Sequence, residues 1–250
     1  TVPISGSRMR LDDPLTTTKI AWLMVRQRTD DIQTRAEHAI RLLDKAADAF
    51  DQTVGDQETE AKIEGTLLIC YNLLDNHSMT GLHGRKAIYA APAMVGNRIN
   101  YIASLTRQEQ FTEAAMEAKE LVQIYPRSVE FLKSLQQTCL RSNDPNGVIH
   151  SCRGILDINS DHPYARLLLI RSLNETGDAF EIVTHCDTML EKHAADLKDR
   201  ERGEVLYCKA QAFMRRRQEG RAESLVSQAI DLRGFGNEYC LLGNIEFDRK

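Results

Sequence analysis

The chain has 250 residues, 42% apolar and 27% charged, with 14 Gly and 6 Pro. That composition excludes a collagen, a mucin or a disordered tail, and leaves little material for glycine-rich loops or proline-rich linkers. With 32 basic and 36 acidic residues the net charge is −4, so no bulk field draws nucleic acid or a membrane surface.

The opening segment, TVPISGSRMRLDDP, lacks the apolar centre of a signal peptide, and residues 1–16 are expected to form a flexible arm. Helical periodicity starts at Thr17. Ile20, Trp22, Leu23, Met24 and Val25 form an apolar stripe that suits either a partner-facing or oligomeric surface or core packing at this end of the fold, and core packing is expected. Ile32, Ala36, Ala39, Ile40, Leu43, Ala46, Ala47 and Phe50 lie on one stripe of a 3.6-residue helix. Between 61 and 94, Tyr71, Ala87 and Pro92 fit a further helix pair, but Gly81 and Gly84 argue against a regular second helix. The stretch 17–94 is therefore read as an N-terminal helical region of degenerate pairs.

From 95 to 235 the chain repeats itself. Stepping by 34 residues, with six inserted near 195–203, one column holds Ala114, Val148, Ile182 and Ala222. Four residues on come Ala118, Cys152, Cys186 and Val226, then Leu121, Ile155, Met189 and Ala229, then Val122, Leu156, Leu190 and Ile230. In the preceding helix another column holds Leu105, Cys139, Leu173 and Phe213. Breaks fall at 54–57, Pro92, Pro126, 143–147, 160–163 and 234–237, and no Asn-Gly or Asp-Gly hairpin signal joins alternating segments. An all-α chain of short-linked helix pairs follows.

The 34-residue period, the small positions Ala114, Ala118 and Ala222, the closing prolines Pro92 and Pro126, and Gly177 at the turn resemble the tetratricopeptide repeat family. Leu242-Gly243-Asn244 resembles the start of another repeat, so 236–250 is expected to be a half-repeat or capping helix, with the natural chain continuing past Lys250. The family's tryptophan column is not kept, its turn glycine is mostly replaced, and Lys209 occupies a usually apolar column. The resemblance implies a right-handed superhelical solenoid of stacked antiparallel helix pairs, with the first helix of each pair lining a concave groove.

Carried over position by position, the resemblance places Arg107, Arg141 and Arg215 in one column of that groove, with Glu175 as the exception. Asn100, Lys133, Gln137, Arg171, Asn174, Tyr207, Gln211 and Asn244 are its neighbours on the wall. Arginine forks and amides suit carboxylates and peptide backbone. The expected partner is thus a protein or peptide, acidic or ending in a carboxylate; the competing interpretation is solvated charge paired with nearby acids. Gln137 and Leu168 break the family's chaperone-tail clamp, so that ligand is not expected. A second functional expectation, implied by the family's fusions to transferases, is a docking or regulatory domain of a larger enzyme.

Other chemistry has little to rest on. No G-x-S-x-G, G-x-x-x-x-G-K-[ST], G-x-G-x-x-G or H-E-x-x-H occurs, so neither catalysis nor a cofactor is expected. His150-x-Cys152 and His185-Cys186 lack zinc-ligand spacing, and the two cysteines read as core fillers. His38, His77, His83, His162 and His193 read as surface or turn residues. Arg215-Arg216-Arg217 with Arg221 has no aromatic platform for nucleic acid. No run reaches the roughly 20 apolar residues of a membrane helix. Six unclustered cysteines suit a reducing, cytoplasmic setting.

Overall fold

A computed structural model of the chain describes residues 13–27, 31–52 and 56–248. The described residues form helices in hairpin pairs: α1 (Pro14–Arg26) with α2 (Ile32–Gln52), α3 (Gln57–Leu73) with α4 (His77–Ala90), and α5 (Val95–Arg107) with α6 (Phe111–Ile124). Then come α7 (Val129–Arg141) with α8 (Pro145–Ile158), α9 (Pro163–Thr176) with α10 (Ala179–Lys192), α11 (Asp199–Arg215) with α12 (Glu219–Arg233), and α13 (Gly236–Asp248). The chain divides into two compact units, 1–117 and 118–250, the division falling within α6. In the first unit α3 packs on α2 and α4, and α1 and α5 both reach α3. In the second, α8 packs on α7 and α9, α10 lies against both α9 and α11, and α12 joins α11 to α13.

The helix starts follow from local chemistry. Asp13, Asp56, Asn76, Ser128, Asp144, His162 and Asp178 each accept a bond from a first-turn N–H that has no partner inside the helix. Pro14, Pro145 and Pro163 follow three of these caps, where a missing N–H costs nothing. The first helix thus begins at Pro14, three residues before the periodicity starts, because Asp13 and Pro14 nucleate it; residues 1–12 of the expected arm lie outside the described residues.

The turns within pairs also repeat. The Asn76, Gln110, Asp144 and Gln218 N–H groups donate to the carbonyls of Tyr71, Leu105, Cys139 and Phe213 at 2.9–3.0 Å, closing the helix end. The residue before each donor, Asp75, Glu109, Asn143 or Arg217, takes φ between 54° and 59°. Gly177, one period after Asn143, departs from this: its φ is −100°, and its N–H bonds the Leu173 carbonyl instead.

The columns read from the sequence are the core. The four residues led by Ala114, the four led by Ala118, the four led by Leu121 and the four led by Leu105 are all buried. The last column is buried only at Val122. Cys152 and Cys186 sit among these side chains, and all six cysteines are free thiols. Lys209 is accommodated by an ion pair to Asp187 at 2.6 Å.

Three expectations are corrected. Residues 77–90 form a regular helix in spite of Gly81 and Gly84; at position 84 a Cβ would collide with the Tyr101 ring, so this glycine serves packing and does not break the helix. The glycine sets the approach of α4 to α5. His83 is buried inside α4, neither a surface nor a turn residue, and His193 is a turn residue as expected but a buried one. His83 stacks on Tyr71 at 5.1 Å and meets Glu64 at 2.5 Å, whereas His193 caps α10 between Asp161 at 3.1 Å and Asp196 at 3.4 Å. Finally, Ala21 and Val25 carry the core contact of α1, while Trp22 and Leu23 are 37% and 54% exposed.

Candidate functional site: the faces of the first helices

In the first unit α1, α3 and α5 are the first helices of three successive pairs, and they border a cleft of about 240 Å³. Trp22, Ile69, Met94 and Asn100 line it, so one residue expected on the wall, Asn100, faces a formed concavity. Arg107 lies at the end of α5. Its Nη2 donates to the Asn72 carbonyl and the Asp75 carboxylate, capping the C-terminal end of α3, where backbone carbonyls carry partial negative charge. Nearly half of its side chain stays exposed.

In the second unit α9 and α11 stand side by side. Arg171 meets Glu204 through two bonds of 2.8 and 2.6 Å, and this bidentate pairing holds the guanidinium above its usual range. Asn174 donates to Gln211 Oε1 at 2.6 Å, and Gln211 donates to Tyr207 Oη at 2.7 Å. Burial raises the Tyr207 phenol, which stays protonated. Arg215 Nη2 donates to the Asn174 carbonyl, repeating at the end of α9 what Arg107 does at the end of α3. The arginine column therefore recurs for a structural reason as well: each of these two residues caps the first helix of the preceding pair.

Lys133, Gln137 and Arg141 lie exposed on α7, and Asn244 is exposed on α13. The structure thus joins Arg171, Asn174, Tyr207, Gln211 and Arg215 into one polar band across α9 and α11. Nothing in the sequence marks Glu204 as partner to Arg171; its position in a mixed-charge run reads as solvated surface. Trp22 stands in the apolar stripe at 20–25 but in no repeating column, so register alone does not decide between a core and a partner-facing position.

No cluster of metal-ligating side chains occurs among the described residues, and no described helix is long and apolar enough to cross a membrane. No protein-family model and no curated protein matches the chain. Solved structures do. YrrB, described as a tetratricopeptide protein with an unusual peptide-binding site, matches with TM-score 0.51 at 11% identity, over 77% of this chain and 94% of that one. The C-terminal part of a tetratricopeptide repeat protein from Cytophaga hutchinsonii matches with TM-score 0.54 at 10% identity, over 92% and 88%. The fold is that of tetratricopeptide repeats. A chain of the Naa15/Naa10 assembly bound to HypK-THB is similar with TM-score 0.62 at 14% identity; the match covers 94% of this chain but 34% of that longer one.

Proposed function

We propose that the chain is a protein-interaction scaffold that holds a peptide or partner helix against the first helices of its pairs. One observation carries this reading. The second-helix columns led by Ala114, Ala118 and Leu121 are closed into the core, while Asn100, Lys133, Gln137 and Asn244 on the first helices are exposed, and among the described residues no side-chain hydrogen bond or ion pair uses them. Amides and a lysine exposed on these helices can bind peptide backbone and carboxylates. Arg107 and Arg215 add to an acidic preference: each caps a helix through one nitrogen, which leaves the rest of the fork for a ligand. The peptide-binding description of YrrB supports the same direction. The role is non-catalytic, and six free, unclustered cysteines suit a reducing, cytoplasmic setting.

The test is capture of partners by wild type and by the combined variant Asn100→Ala, Lys133→Glu, Gln137→Ala, Asn244→Ala. All four positions are exposed, so helicity should be unchanged. Partners retained by wild type should be lost by the variant; equal retention would remove these faces as the binding surface. A second reading, a docking domain within a larger enzyme assembly, is favoured by the similarity to part of the longer Naa15/Naa10 chain. It would be distinguished by co-purification of a stoichiometric enzyme subunit.

A further inference from the structure

The cleft bordered by α1, α3 and α5 combines properties that the repeat pattern does not require. Its apolar wall is Trp22, Ile69 and Met94; Lys19 and Lys62 line it as well, and none of its lining residues is an acid. Lys62 is bound to Glu58 at 2.6 Å, Lys19 is exposed, and Arg26 lies over the Trp22 ring at 4.6 Å. In a chain of net charge −4 this is a locally cationic, apolar hollow.

The floor is held in shape. Asn97 donates to the Ala61 carbonyl at 2.9 Å, and a Cβ on Gly65 would collide with the Asn97 carboxamide. Glycine at 65 therefore lets α5 reach the α3 backbone and leaves the concavity between them. At about 240 Å³ the space is below the roughly 300–1,000 Å³ of small-molecule sites. It suits one large side chain. A half-exposed tryptophan beside such a hollow has the character of an interface anchor, since aromatic side chains in desolvated pockets carry most of the energy of association.

We propose that this cleft anchors a partner segment in which one large apolar side chain is flanked by acidic residues. The apolar side chain enters against Trp22, Ile69 and Met94, the flanking carboxylates meet Lys19 and Lys62, and the Asn100 amide bonds the segment's backbone. The proposal deepens the scaffold reading and rests on it: it names the chemistry of the occupant at one place on the first-helix face.

Trp22 is the single tryptophan of the sequence, so its emission reports this cleft and no other. The probe is a dye-labelled synthetic peptide, Gly-Ser-Glu-Glu-Phe-Glu-Glu-Ser-Gly, compared with forms carrying alanine for phenylalanine or glutamine for glutamate. Emission of Trp22 and anisotropy of the dye are read in the same titration. The expected result is a saturable blue shift that coincides with the anisotropy isotherm and weakens as salt is raised. Affinity should fall at least tenfold for each control peptide, for Lys19→Glu and, by anisotropy, for Trp22→Ala, with helicity kept in both variants.

Saturable anisotropy that leaves Trp22 emission unmoved and survives Trp22→Ala would put the peptide elsewhere. That outcome overturns the cleft proposal and leaves the scaffold reading standing. Absence of binding up to about 1 mM peptide, weaker than about −4 kcal/mol, would also overturn the cleft proposal, and the scaffold reading is then decided by the capture comparison. A blue shift that grows with protein concentration alone, matched by dimer in sedimentation, would assign the cleft to a second copy of the chain and overturn it too.

Discussion

Glu109 and Arg217 hold left-handed backbone at turns where the family places glycine. A β-carbon in that region costs about 1–2 kcal/mol, and glycine gives back part of the gain through its freer unfolded chain. Glu109→Gly and Arg217→Gly are each expected to stabilise by about 0.5 kcal/mol, read as a higher urea midpoint with an unchanged slope. Asn143→Gly should change little, because asparagine tolerates this conformation. Lower midpoints for both glutamate and arginine variants would contradict the turn argument. Cysteine offers a second residue-level test. Burial pushes Cys70, Cys139 and Cys208 up to about 12 and Cys152 to about 11, against 9.0 for a free thiol. The native state thus keeps protons that the unfolded chain releases. Stability is complete below about pH 9 and falls as pH rises from there towards 12, by up to about 1.4 kcal/mol per pH unit for each thiol. Thermal melts between pH 8 and 10.5 check this; an unmoved midpoint would mean that the thiols are not shielded. At pH 8 a thiol reagent should label exposed Cys240 at once and the five buried cysteines only on unfolding.

At the scale of helices, α9 lies against α8, α10 and α11. Leu169 and Leu173 are both buried on it. Leu173→Asp puts an unpaired carboxylate there and should cost more than ~3 kcal/mol. Hydrogen exchange should show lost protection in α8 and α11 as well as in α9 and α10. Loss confined to 163–192 would mean that the pairs do not share a core. The helices themselves were legible because burial in a repeat array is periodic. Leu105, Cys139, Leu173 and Phe213 identify one another at fixed intervals, so no alignment is needed to find them. What was not legible depends on unique neighbours. Gly84 reads as a helix breaker until the Tyr101 ring, 17 residues away, is seen to need its missing side chain. His83 and His193 read as surface or turn residues, and their burial shows only once the Tyr71 stack and the two aspartates beside His193 are seen.

At the scale of the molecule, the same distinction separates the site's location from its energetics. The family resemblance placed Arg107, Arg171 and Arg215 on the first-helix face, but not the Asn72 carbonyl, Glu204 and the Asn174 carbonyl that hold them. Those partners lie 33–41 residues away, on the neighbouring pair. Coupling in such an array should therefore be short-ranged, each pair acting on the next and little further. Within the second unit two double-mutant cycles test this. Arg171 and Glu204 touch across α9 and α11, so Arg171→Ala and Glu204→Ala should be non-additive by at least about 0.5 kcal/mol, the single changes each leaving a partly buried charge without its partner. Leu132 on α7 and Val226 on α12 are both buried, yet they belong to the first and last helix pairs of that unit. Leu132→Ala and Val226→Ala should each cost about 2–4 kcal/mol or somewhat less for the smaller valine, and should add within about 0.5 kcal/mol. Urea denaturation of the four single and two double variants supplies the comparison. Coupling of Leu132 to Val226 as strong as that of Arg171 to Glu204 would mean that the unit has one indivisible core, and a partner bound at one end would then stiffen the whole of it.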